Sequence, residues 1–430
     1  MDRDKIVYTA MCADYLHVGH INIIEKSRQY GKLIVGIMTD EAMASYKRVP
    51  IVPYEKRAKA VSEIKGVWKV VPQKTLDYTE NLRKYKPDLV TNADDWREGV
   101  QKKTRQKVID VIKEWNGQLI EIPYTKGISS TKIIGEIYKE GITPDDRRKR
   151  LKRLISSKDL VRVIESHSGL SALVAQNTKY KSKEFDAIWE SSFTDSSSKG
   201  KPDIELVDFT SRIHTINEIL EVTTKPIIVD LDTGGQTQHF RYMVKTLERL
   251  GVSAVIIEDK KFPKKNSLMK GAKHVQEDID VFCNKIKVGR KARVTEDFMI
   301  IARIESYIAG KYLDDAMKRA KAYIHAGADG IMIHSKESNA TQVVEFAEAY
   351  NKLRNRKPLV IVPTTYSHFK EKEMKYFGID VVIYANQLLR ASYSAMKEVA
   401  EDILAFECSE IGDEYAKPKD IFKITNKDVK

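Results

Sequence analysis

Eight short apolar segments recur through the last two thirds of the chain, and nearly every one ends in a polar or charged residue. They read LVRVIES, AIWESS, PIIVDLD, AVIIED, MIIARIES, GIMIHS, PLVIVPTT and VVIYAN, and helical stretches such as 241–250 and 314–326 separate several of them. Strands that alternate with helices predict a parallel sheet, and eight of them in series favour a closed (β/α)8 barrel. A doubly wound open sheet is the alternative, but it does not explain the recurring polar endings. In a barrel these endings converge on one face, where the chemistry lies.

The first 140 residues carry a second pattern of alternating strands and helices. The segments KIVYTA, KLIVGIMT, WKVVP and DLVTNA are strand candidates, and helices are expected over 20–30, from residue 55 and after residue 128. This spacing predicts a doubly wound parallel sheet. The expected fold class is therefore α/β, with an N-terminal doubly wound Rossmann-like domain followed by a (β/α)8 TIM-type barrel.

The segment GITPDDRRKRLKR joins a glycine, a proline and a charge run between the two patterned regions, which is typical of a domain boundary. We predict a first domain over 1–140, a basic linker over 141–155, a barrel over 156–410 and a Lys-rich tail over 411–430. The charge run is interpreted as a solvated linker face in preference to a nucleic-acid patch, because no aromatic residues interleave with it.

Charge and hydropathy narrow the class of partner. The net charge of +13 suits phosphorylated substrates, nucleic acid or anionic lipid. No apolar run reaches the roughly 18 residues that span a bilayer, and the first residues lack the apolar core of a secretion signal. Three cysteines without metal-ligand spacing agree with a reducing compartment. We expect a cytoplasmic homo-oligomer that binds small phosphorylated molecules and neither nucleic acid nor membrane.

The first candidate site is the segment DYLHVGH, which follows the first predicted strand. His17 and His20 flank Gly19 at the opening of a helix and, three residues apart, they share one side of it. Helix N-termini favour anions, and a glycine leaves room for a phosphate to approach backbone N–H groups. The pair is therefore predicted to bind a triphosphate.

Four segments, DYLHVGH, YEKR, DDW and GISSTKI, carry a resemblance to the cytidylyltransferases of the nucleotidyltransferase superfamily. The likeness is greatest to those acting on glycerol 3-phosphate or phosphocholine. It implies that His17 and His20 contact the phosphates of CTP and stabilise charge on the α-phosphoryl group while pyrophosphate leaves. It also implies substrate-binding roles for Lys47, Arg57, Asp94, Trp96, Ser129, Ser130 and Thr131. The chain departs from the family at MCAD and at Tyr124, which concerns the acceptor more than the cytidylyl chemistry.

The second candidate site lies at the predicted strand ends of the barrel. Asp230 and Asp232 are two apart, so their side chains share a side, and Glu258 ends the next strand. Clustered carboxylates repel one another unless a cation lies between them, and hard oxygen ligands favour Mg²⁺. A surface cluster of acids is the alternative. Arg303 and His334 end the following strands, and a metal ion with basic groups suits a phosphorylated substrate.

The segment EDKKFPKKNSL, with DLDTG, ARIESYIAG, GADGIMIHSK and VIVPTTY, resembles phosphoenolpyruvate mutase of the isocitrate lyase superfamily over about residues 160–407. Carbon–carbon lyases of that superfamily carry a catalytic cysteine in this loop, where the present chain has residues 264–267, KKNS. Phosphonopyruvate hydrolases are closer relatives, but Asn266 favours a mutase.

The resemblance implies specific roles in the barrel. Asp230 would coordinate Mg²⁺ directly, with Asp232, Glu258 and Asp203 holding its waters. Asp203 would also guide the migrating phosphoryl group, either as a transient acceptor or as an orienting group. The other implied catalytic residues are Lys264, Asn266, Arg303 and His334. The implied substrate-binding residues are Trp189, Ser191, Ser192, Phe193, Ser267 and Leu268, although WESSFT replaces the common WxSGLS at residues 189–194.

The two resemblances combine into one functional hypothesis. A mutase barrel joined to a cytidylyltransferase domain is typical of phosphonate biosynthesis of the fosfomycin type. The expected enzyme isomerises phosphoenolpyruvate to phosphonopyruvate and transfers CMP from CTP to a phosphonate such as 2-hydroxyethylphosphonate or 2-aminoethylphosphonate. One alternative is a phosphonopyruvate hydrolase fused to a phosphocholine or glycerol-phosphate cytidylyltransferase. A non-catalytic, basic nucleic-acid-binding protein is the alternative from another class.

Overall fold

A computed structural model of the chain describes residues 4–98, 101–125, 127–139, 141–181, 183–269, 271–410, 412 and 414–426. The chain forms two compact units, Met1–Gly141 with Ser156–Lys158, and Ile142–Ile155 with Asp159–Lys430. The predicted Lys-rich tail over 411–430 lies partly outside the described residues. Within it, Pro418–Thr425 is helical.

The first unit is built on a parallel sheet, as predicted, and this sheet has five strands. Its strands are β1 (Ile6–Met11), β2 (Lys32–Met38), β3 (Val67–Gln73), β4 (Leu89–Ala93) and β5 (Gln118–Ile122), in the spatial order β3-β2-β1-β4-β5. Its helices are α1 (Val18–Ser27), α2 (Asp40–Tyr46), α3 (Tyr54–Ser62), α4 (Thr79–Tyr85), α5 (Lys102–Ile112) and α6 (Ser130–Lys139). The strand order reverses between β1 and β4, and the crevice at such a switch point is where doubly wound sheets bind ligands.

Both faces of this sheet are covered by apolar clusters. Tyr8, Ile34 and Val90 pack on one face, while Val7 and Leu33 pack on the other. Successive side chains of a strand point to opposite faces, so the buried strands are apolar along nearly their whole length. The sequence analysis missed β5 because this strand, QLIEI, is only partly buried and carries a glutamate.

The second unit is a closed barrel of eight parallel strands, with a separate two-stranded hairpin. The strands, numbered on from the first unit, are β6 (Val161–Glu165), the hairpin strands β7 (Lys179–Tyr180) and β8 (Lys183–Glu184), then β9 (Ala187–Glu190), β10 (Ile227–Asp230), β11 (Ala254–Glu258), β12 (Met299–Ile304), β13 (Gly330–Ile333), β14 (Leu359–Ile361) and β15 (Val381–Tyr384). All eight predicted segments form barrel strands, which confirms the predicted fold.

Helices follow or separate the barrel strands. They are α7 (Pro144–Ser157), α8 (Gly169–Asn177), α9 (Ser192–Ser198), α10 (Phe209–Val222), α11 (Thr237–Leu250), α12 (Ile279–Ala292), α13 (Leu313–Ala326), α14 (Thr341–Asn351), α15 (Glu371–Tyr376), α16 (Gln387–Phe406) and α17 (Pro418–Thr425). No helix in the described ranges has the length and apolarity that a membrane span requires.

The charge run near residue 150 differs from the solvated linker that the sequence predicted over 141–155. It lies in α7, where Arg147 and Arg148 are each only 6% exposed. Arg147 donates to the carbonyl oxygens of Leu220 and Thr223, at 3.1 and 2.8 Å, and Arg148 donates to that of Glu248. These carbonyls end α10 and α11, where helices lack internal donors and favour cations. The basic residues therefore attach α7 to the barrel unit.

Candidate active sites in the two domains

The first site begins at the amino end of α1, where the side chains of two histidines accept the backbone N–H groups that open the helix. His17 is the N-cap residue, and its Nδ1 accepts the N–H of Gly19 at 3.1 Å. His20 Nδ1 in turn accepts the N–H of His17 at 3.4 Å. The two rings lie with their centroids 4.0 Å apart. This reciprocal arrangement is a capping box in which histidines replace the usual serine and glutamate.

The capping bonds determine which ring nitrogen carries the proton. Because Nδ1 of each ring accepts a backbone hydrogen bond, a neutral ring holds its proton on Nε2. Burial lowers the pKa of His17, and burial together with the neighbouring His17 and Lys47 lowers the pKa of His20 to about 3. Both rings are therefore neutral at pH 7, and each has an Nε2–H that can donate to a phosphoryl oxygen.

Gly19 has a further role that the sequence analysis did not anticipate. A Cβ at this position would lie 2.9 Å from Cε1 and 3.0 Å from Nδ1 of His17. The glycine thus leaves room for the His17 ring to fold back over the start of α1. The predicted reason, close approach of a phosphate, is compatible with this one.

A cavity of about 200 Å³ lies at the carboxyl ends of β1, β2 and β4, in the crevice beside the switch point. It brings together five predicted residues, namely His17, His20, Lys47, Ser129 and Ser130. The hydroxyl of Ser129 accepts the N–H of Lys132 at 3.1 Å and caps α6. Two helix N-termini, those of α1 and α6, therefore face one cavity, and both favour an anion there.

Arg57 was predicted to neutralise phosphate charge, but its guanidinium is committed to the protein interior. It is 1% exposed and donates to the carbonyl oxygens of Val52 and Cys12, at 2.8 and 2.6 Å. It also pairs with Asp40 at 2.6 Å. Arg57 consequently fastens the segment after β1 to α2 and α3 instead of lining the cavity.

In the segment DDW, neither predicted residue, Asp94 or Trp96, lines the cavity. Trp96 is buried in the core and donates to Glu121 at 2.9 Å, and Asp94 accepts the N–H of Tyr124 at 2.9 Å. Their neighbour Asp95 lines the cavity. Thr131 is exposed and lies one residue beyond the lining part of α6.

The second site is a cavity of about 450 Å³ at the carboxyl ends of the barrel strands. Every predicted barrel residue except Asp232 lines it, and Asp232 contacts the lining residue Lys264. The lining members of that set are Trp189, Ser191, Ser192, Phe193, Asp203, Asp230, Glu258, Lys264, Asn266, Ser267, Leu268, Arg303 and His334. Lys260, Thr364 and Asn386 also line the cavity and were not predicted.

Lys264 lies among the acids of this cavity. Its Nζ is 2.6 Å from Asp232 Oδ1 and 3.0 Å from Asp203 Oδ1, and it donates to Ser192 Oγ at 3.0 Å. Burial by itself would lower the pKa of Lys264, but the carboxylates of Asp232, Glu258 and Asp203 raise it well above its usual value. The buried ammonium therefore stays charged and balances the acids.

The loop that carries Lys264 reaches across the cavity. Asn266 Nδ2 donates to Asp203 Oδ2 at 2.6 Å, so Lys264 and Asn266 both contact the same aspartate. Asp203, which the family resemblance implied, lines the cavity. Both loop residues are thus placed to close the cavity against water.

The acids include oxygens that suit a hard divalent cation. Glu258 is 1% exposed, and neither of its carboxylate oxygens accepts a hydrogen bond within the described part of the chain. Asp230 accepts from Ser192 Oγ at 3.0 Å and from the N–H of Asp232 at 3.1 Å. Asp232 has a φ of 55°, a strained backbone state that clusters at functional sites.

These donors match Mg²⁺ in chemical type but do not already surround one point. Among the described residues, no group of three His, Cys, Asp or Glu side chains stands ready to hold a metal ion. The ammonium of Lys264 lies against Asp232 and supplies the positive charge there instead. Binding of Mg²⁺ to this set therefore requires the carboxylates to adjust around the ion.

Arg303 and Lys260 bring basic groups to another part of the cavity wall. Arg303 Nη2 lies 2.8 Å from His334 Nδ1 and 3.1 Å from Ser267 Oγ, while its Nε donates to Glu305 at 2.5 Å. Burial and the adjacent guanidinium lower the pKa of His334. Lys260 pairs with Glu305 at 3.0 Å. Arg303 and Lys260 therefore share the buried carboxylate of Glu305, and they also lie 3.4 and 3.5 Å from the carboxylate oxygens of Glu258.

A buried ion pair beneath the acids also escaped the sequence analysis. Arg212 from α10 donates to Glu190 at 2.5 Å and to Asp232 Oδ2 at 3.2 Å. The three side chains are buried. Arg212 lies twenty residues from Asp232 in sequence, and no local motif relates the two. Arg212 thus binds Oδ2 of Asp232, while Lys264 binds Oδ1 of the same carboxylate.

Together, the fold and the sites define a two-domain α/β enzyme with a nucleotide-type crevice and a barrel for an anionic substrate. Residues 151–404 match the family described as phosphoenolpyruvate phosphomutase, and residues 9–136 match the family described as cytidylyltransferase-like. The chain belongs to the phosphoenolpyruvate phosphomutase family and carries a cytidylyltransferase-like domain before the barrel.

Individual relatives agree with this family. The phosphoenolpyruvate phosphomutase of Tetrahymena pyriformis is 36% identical over 281 residues, which cover 65% of this chain and 91% of that protein. The phosphonopyruvate hydrolase of Variovorax sp. (strain Pal2) is 32% identical over 255 residues, or 59% of this chain and 85% of that protein.

Two solved structures resemble the barrel. The phosphoenolpyruvate phosphomutase of Streptomyces platensis subsp. rosaceus has 35% identity and a TM-score of 0.60, covering 64% of this chain and 93% of that one. A phosphonopyruvate hydrolase in complex with oxalate and Mg²⁺ has 30% identity and a TM-score of 0.59, covering 65% of this chain and 94% of that one.

Proposed function

We propose that this protein is a bifunctional enzyme of phosphonate biosynthesis. Its barrel isomerises phosphoenolpyruvate to phosphonopyruvate, and its first domain transfers CMP from CTP to a phosphonate. The observation that supports the barrel activity is the contact of Asp203 with Lys264 and the half-buried Asn266, two residues of one loop beside the cavity. A loop that closes over a cavity protects a phosphoryl group in transit from water.

In the barrel, Asn266, Arg303 and His334 hold the phosphoryl oxygens, and Asp203 orients the phosphoryl group. The bond from phosphorus to the enol oxygen breaks, and a bond from phosphorus to C3 forms. Asp230, Asp232 and Glu258 are the residues that would hold Mg²⁺, which would supply positive charge for the enolate oxygen and carboxylate. Backbone N–H groups near residues 189–193 hold the same part of the substrate. Positioning and charge account for catalysis, as is usual in phosphoryl transfer.

In the first domain, the neutral Nε2–H groups of His17 and His20 donate to the α-phosphoryl oxygens of CTP. A phosphonate oxygen attacks the α-phosphorus, and pyrophosphate leaves. Lys47 neutralises charge at the cavity wall, and Ser129 and Ser130 present the amino end of α6 to the phosphates. The reaction needs charge stabilisation in the transition state and no covalent intermediate with the protein.

Phosphorus NMR of the purified protein with phosphonopyruvate and Mg²⁺ tests the barrel activity. A mutase converts phosphonopyruvate to phosphoenolpyruvate. The alternative, a phosphonopyruvate hydrolase, releases inorganic phosphate and pyruvate. Phosphate as the sole product would replace the mutase proposal by the hydrolase one.

Pyrophosphate release from CTP tests the first domain and identifies its acceptor. We expect turnover with 2-hydroxyethylphosphonate or 2-aminoethylphosphonate and much less with phosphocholine or glycerol 3-phosphate. A preference for either phosphate ester would contradict the phosphonate acceptor while leaving cytidylyl transfer intact.

We further propose that the protein acts as a homo-oligomer in the cytoplasm. None of the described residues of α16, a helix of 20 residues, is buried. Its apolar side chains Met396, Leu404 and Phe406 are 63 to 80% exposed. An apolar helix face of this size is typical of an interface between subunits. Light scattering at micromolar concentration measures the mass, and a monomer would contradict the proposal.

A further inference from the structure

Asn386 occupies the N-cap position of α16 but does not cap this helix. Asparagine is among the best N-cap residues because its side-chain oxygen accepts a backbone N–H of the first turn. Here the N–H of Leu389, the third residue of the helix, is accepted by Glu165 Oε1 at 2.7 Å. Glu165 ends β6 and has no exposed surface. A carboxylate from another strand therefore performs the capping and frees the Asn386 amide for a different contact.

The freed amide faces the barrel cavity. Asn386 is 7% exposed and lines the cavity together with Thr364. Its Nδ2 lies 3.4 Å from Thr364 Oγ1, and its Oδ1 has no hydrogen-bond partner among the described residues. The carboxamide NH₂ carries two N–H groups, so its long contact with Thr364 leaves a second N–H for a ligand in the cavity that both residues line.

We propose that Asn386 is a substrate-contacting residue that donates from its amide to an anionic oxygen of the barrel substrate. This inference rests on the proposed mutase function and adds a contact to it. Phosphoenolpyruvate and phosphonopyruvate both carry a carboxylate and a phosphoryl group, and both groups accept hydrogen bonds. Asn386 follows β15, several strands away from Asp230 and Glu258, so it approaches the substrate from a different side. A neutral donor there binds an anion without competing with Mg²⁺ for the acids.

Asn386→Asp tests the contact with a side chain of nearly the same shape. The substitution replaces the donating NH₂ by a negatively charged oxygen. We expect the KM for phosphonopyruvate to rise by about ten- to a hundredfold, which is the scale of a lost hydrogen bond to a charged group. Oxalate inhibition locates the contact, because oxalate has carboxylates and no phosphoryl group. A weaker oxalate Ki indicates the carboxylate end of the substrate, and an unchanged Ki with a raised KM indicates the phosphoryl end.

Two further variants separate binding from folding. Asn386→Ser keeps a good capping residue but removes the amide, and its KM should rise about tenfold. Thr364→Val removes the hydroxyl that orients the amide and should raise the KM about threefold to fivefold. Asn339→Asp is the matched control, since Asn339 is exposed and its Oδ1 accepts the N–H of Thr341 at 3.0 Å, a role that aspartate keeps. Its kinetics should equal those of the wild type.

The outcomes distinguish this inference from the proposed function. An active wild type whose KM and oxalate Ki are unchanged in both Asn386→Asp and Asn386→Ser would overturn the contact and leave the mutase proposal standing. A wild type that converts neither compound would overturn the mutase proposal. In that case calorimetry with phosphonopyruvate and Mg²⁺ still decides the role of Asn386, because a contact to either anionic group predicts weaker binding in both variants.

Discussion

The two sites handle negatively charged phosphorus groups in opposite ways. The first combines one lysine, Lys47, with neutral donors, namely two histidines whose pKa values burial lowers and the amino ends of α1 and α6. The second uses buried ions, with Lys264 among three carboxylates and Arg303 shared between Glu305 and His334. Buried ions suit a small substrate that a closed loop must hold away from water.

The largest expected effect comes from Asp230→Ala, which breaks the charge balance of the barrel alone. Removing this carboxylate leaves Lys264 and Arg303 without one of their partners and removes a ligand proposed for Mg²⁺. Phosphonopyruvate conversion should fall by about a thousandfold or more. Cytidylylation of the accepted phosphonate, measured by pyrophosphate release on the same sample, should stay within about twofold. Loss of both activities in a folded variant would contradict independent sites.

The reverse experiment is His17→Ala, which removes one neutral donor and the cap of α1. Loss of one preorganised donor to a transition-state oxyanion costs about a hundredfold to a thousandfold in kcat. Cytidylylation should fall by that amount, while the barrel reaction is unchanged. His239→Ala, at an exposed position on α11, controls for removal of a histidine as such. Near-normal cytidylylation by His17→Ala would exclude His17 from the transition state.

The sequence analysis succeeded where contacts are local or where topology forces convergence. His17, Gly19 and His20 form their site within four residues, so the motif alone describes it. The acids and bases of the barrel are far apart in sequence, but all follow strand ends of one closed sheet. The polar endings therefore led to Asp230, Asp232, Glu258, Arg303 and His334, whereas Asp203 and the loop residues Lys264 and Asn266 came from the family resemblance.

The sequence analysis fell short where a side chain could serve either the core or the cavity. Arg57 and Trp96 belong to motifs of the first site. Their polar groups, however, donate hydrogen bonds to Cys12, Asp40 and Glu121 within the protein. A motif specifies residue types, but only packing decides which neighbour faces the ligand. The same holds for α7, whose arginines bind carbonyls at helix ends that only the folded barrel brings near. Asn386 was missed because an asparagine before a helix is normally read as its N-cap. The sequence does not show that Glu165, from a distant strand, accepts the N–H of Leu389 instead.

Gly19→Ala tests how precisely His17 must be positioned, because the substitution displaces the imidazole of His17 without removing it. The added Cβ would lie 2.9 Å from His17 Cε1, closer than carbon atoms approach, so the ring must rotate away. We expect cytidylylation to fall by about tenfold to a hundredfold, because positioning errors of about 1 Å have effects of this size. The barrel reaction should not change. The control is Gly135→Ala on α6, where a Cβ would meet nothing within 4 Å. Equal activity of Gly19→Ala and wild type would show that His17 tolerates displacement.

The smallest expected effect concerns the pH dependence of stability, and it tests whether the histidines of the first site are neutral. His20 has a folded-state pKa of about 3, against an ordinary value of 6.5, mainly because it is buried. Below pH 6.5, His20 is therefore protonated in the unfolded chain but stays neutral in the folded domain. The free energy of unfolding consequently falls as the pH falls. The loss contributed by His20 between pH 7 and pH 5 is about 2 kcal/mol.

His20→Gln removes the titration and keeps a residue that can accept the capping N–H of His17 at the same position. Urea unfolding of the full chain, followed by tryptophan fluorescence, measures the change, since Trp68, Trp96 and Trp115 lie in the first unit. The wild type should lose about 2 kcal/mol more than His20→Gln on going from pH 7 to pH 5. An equal loss in both proteins would mean that His20 takes up a proton in the folded state. The first site would then hold its phosphates with charged imidazolium groups, and its contrast with the ion-filled barrel would disappear.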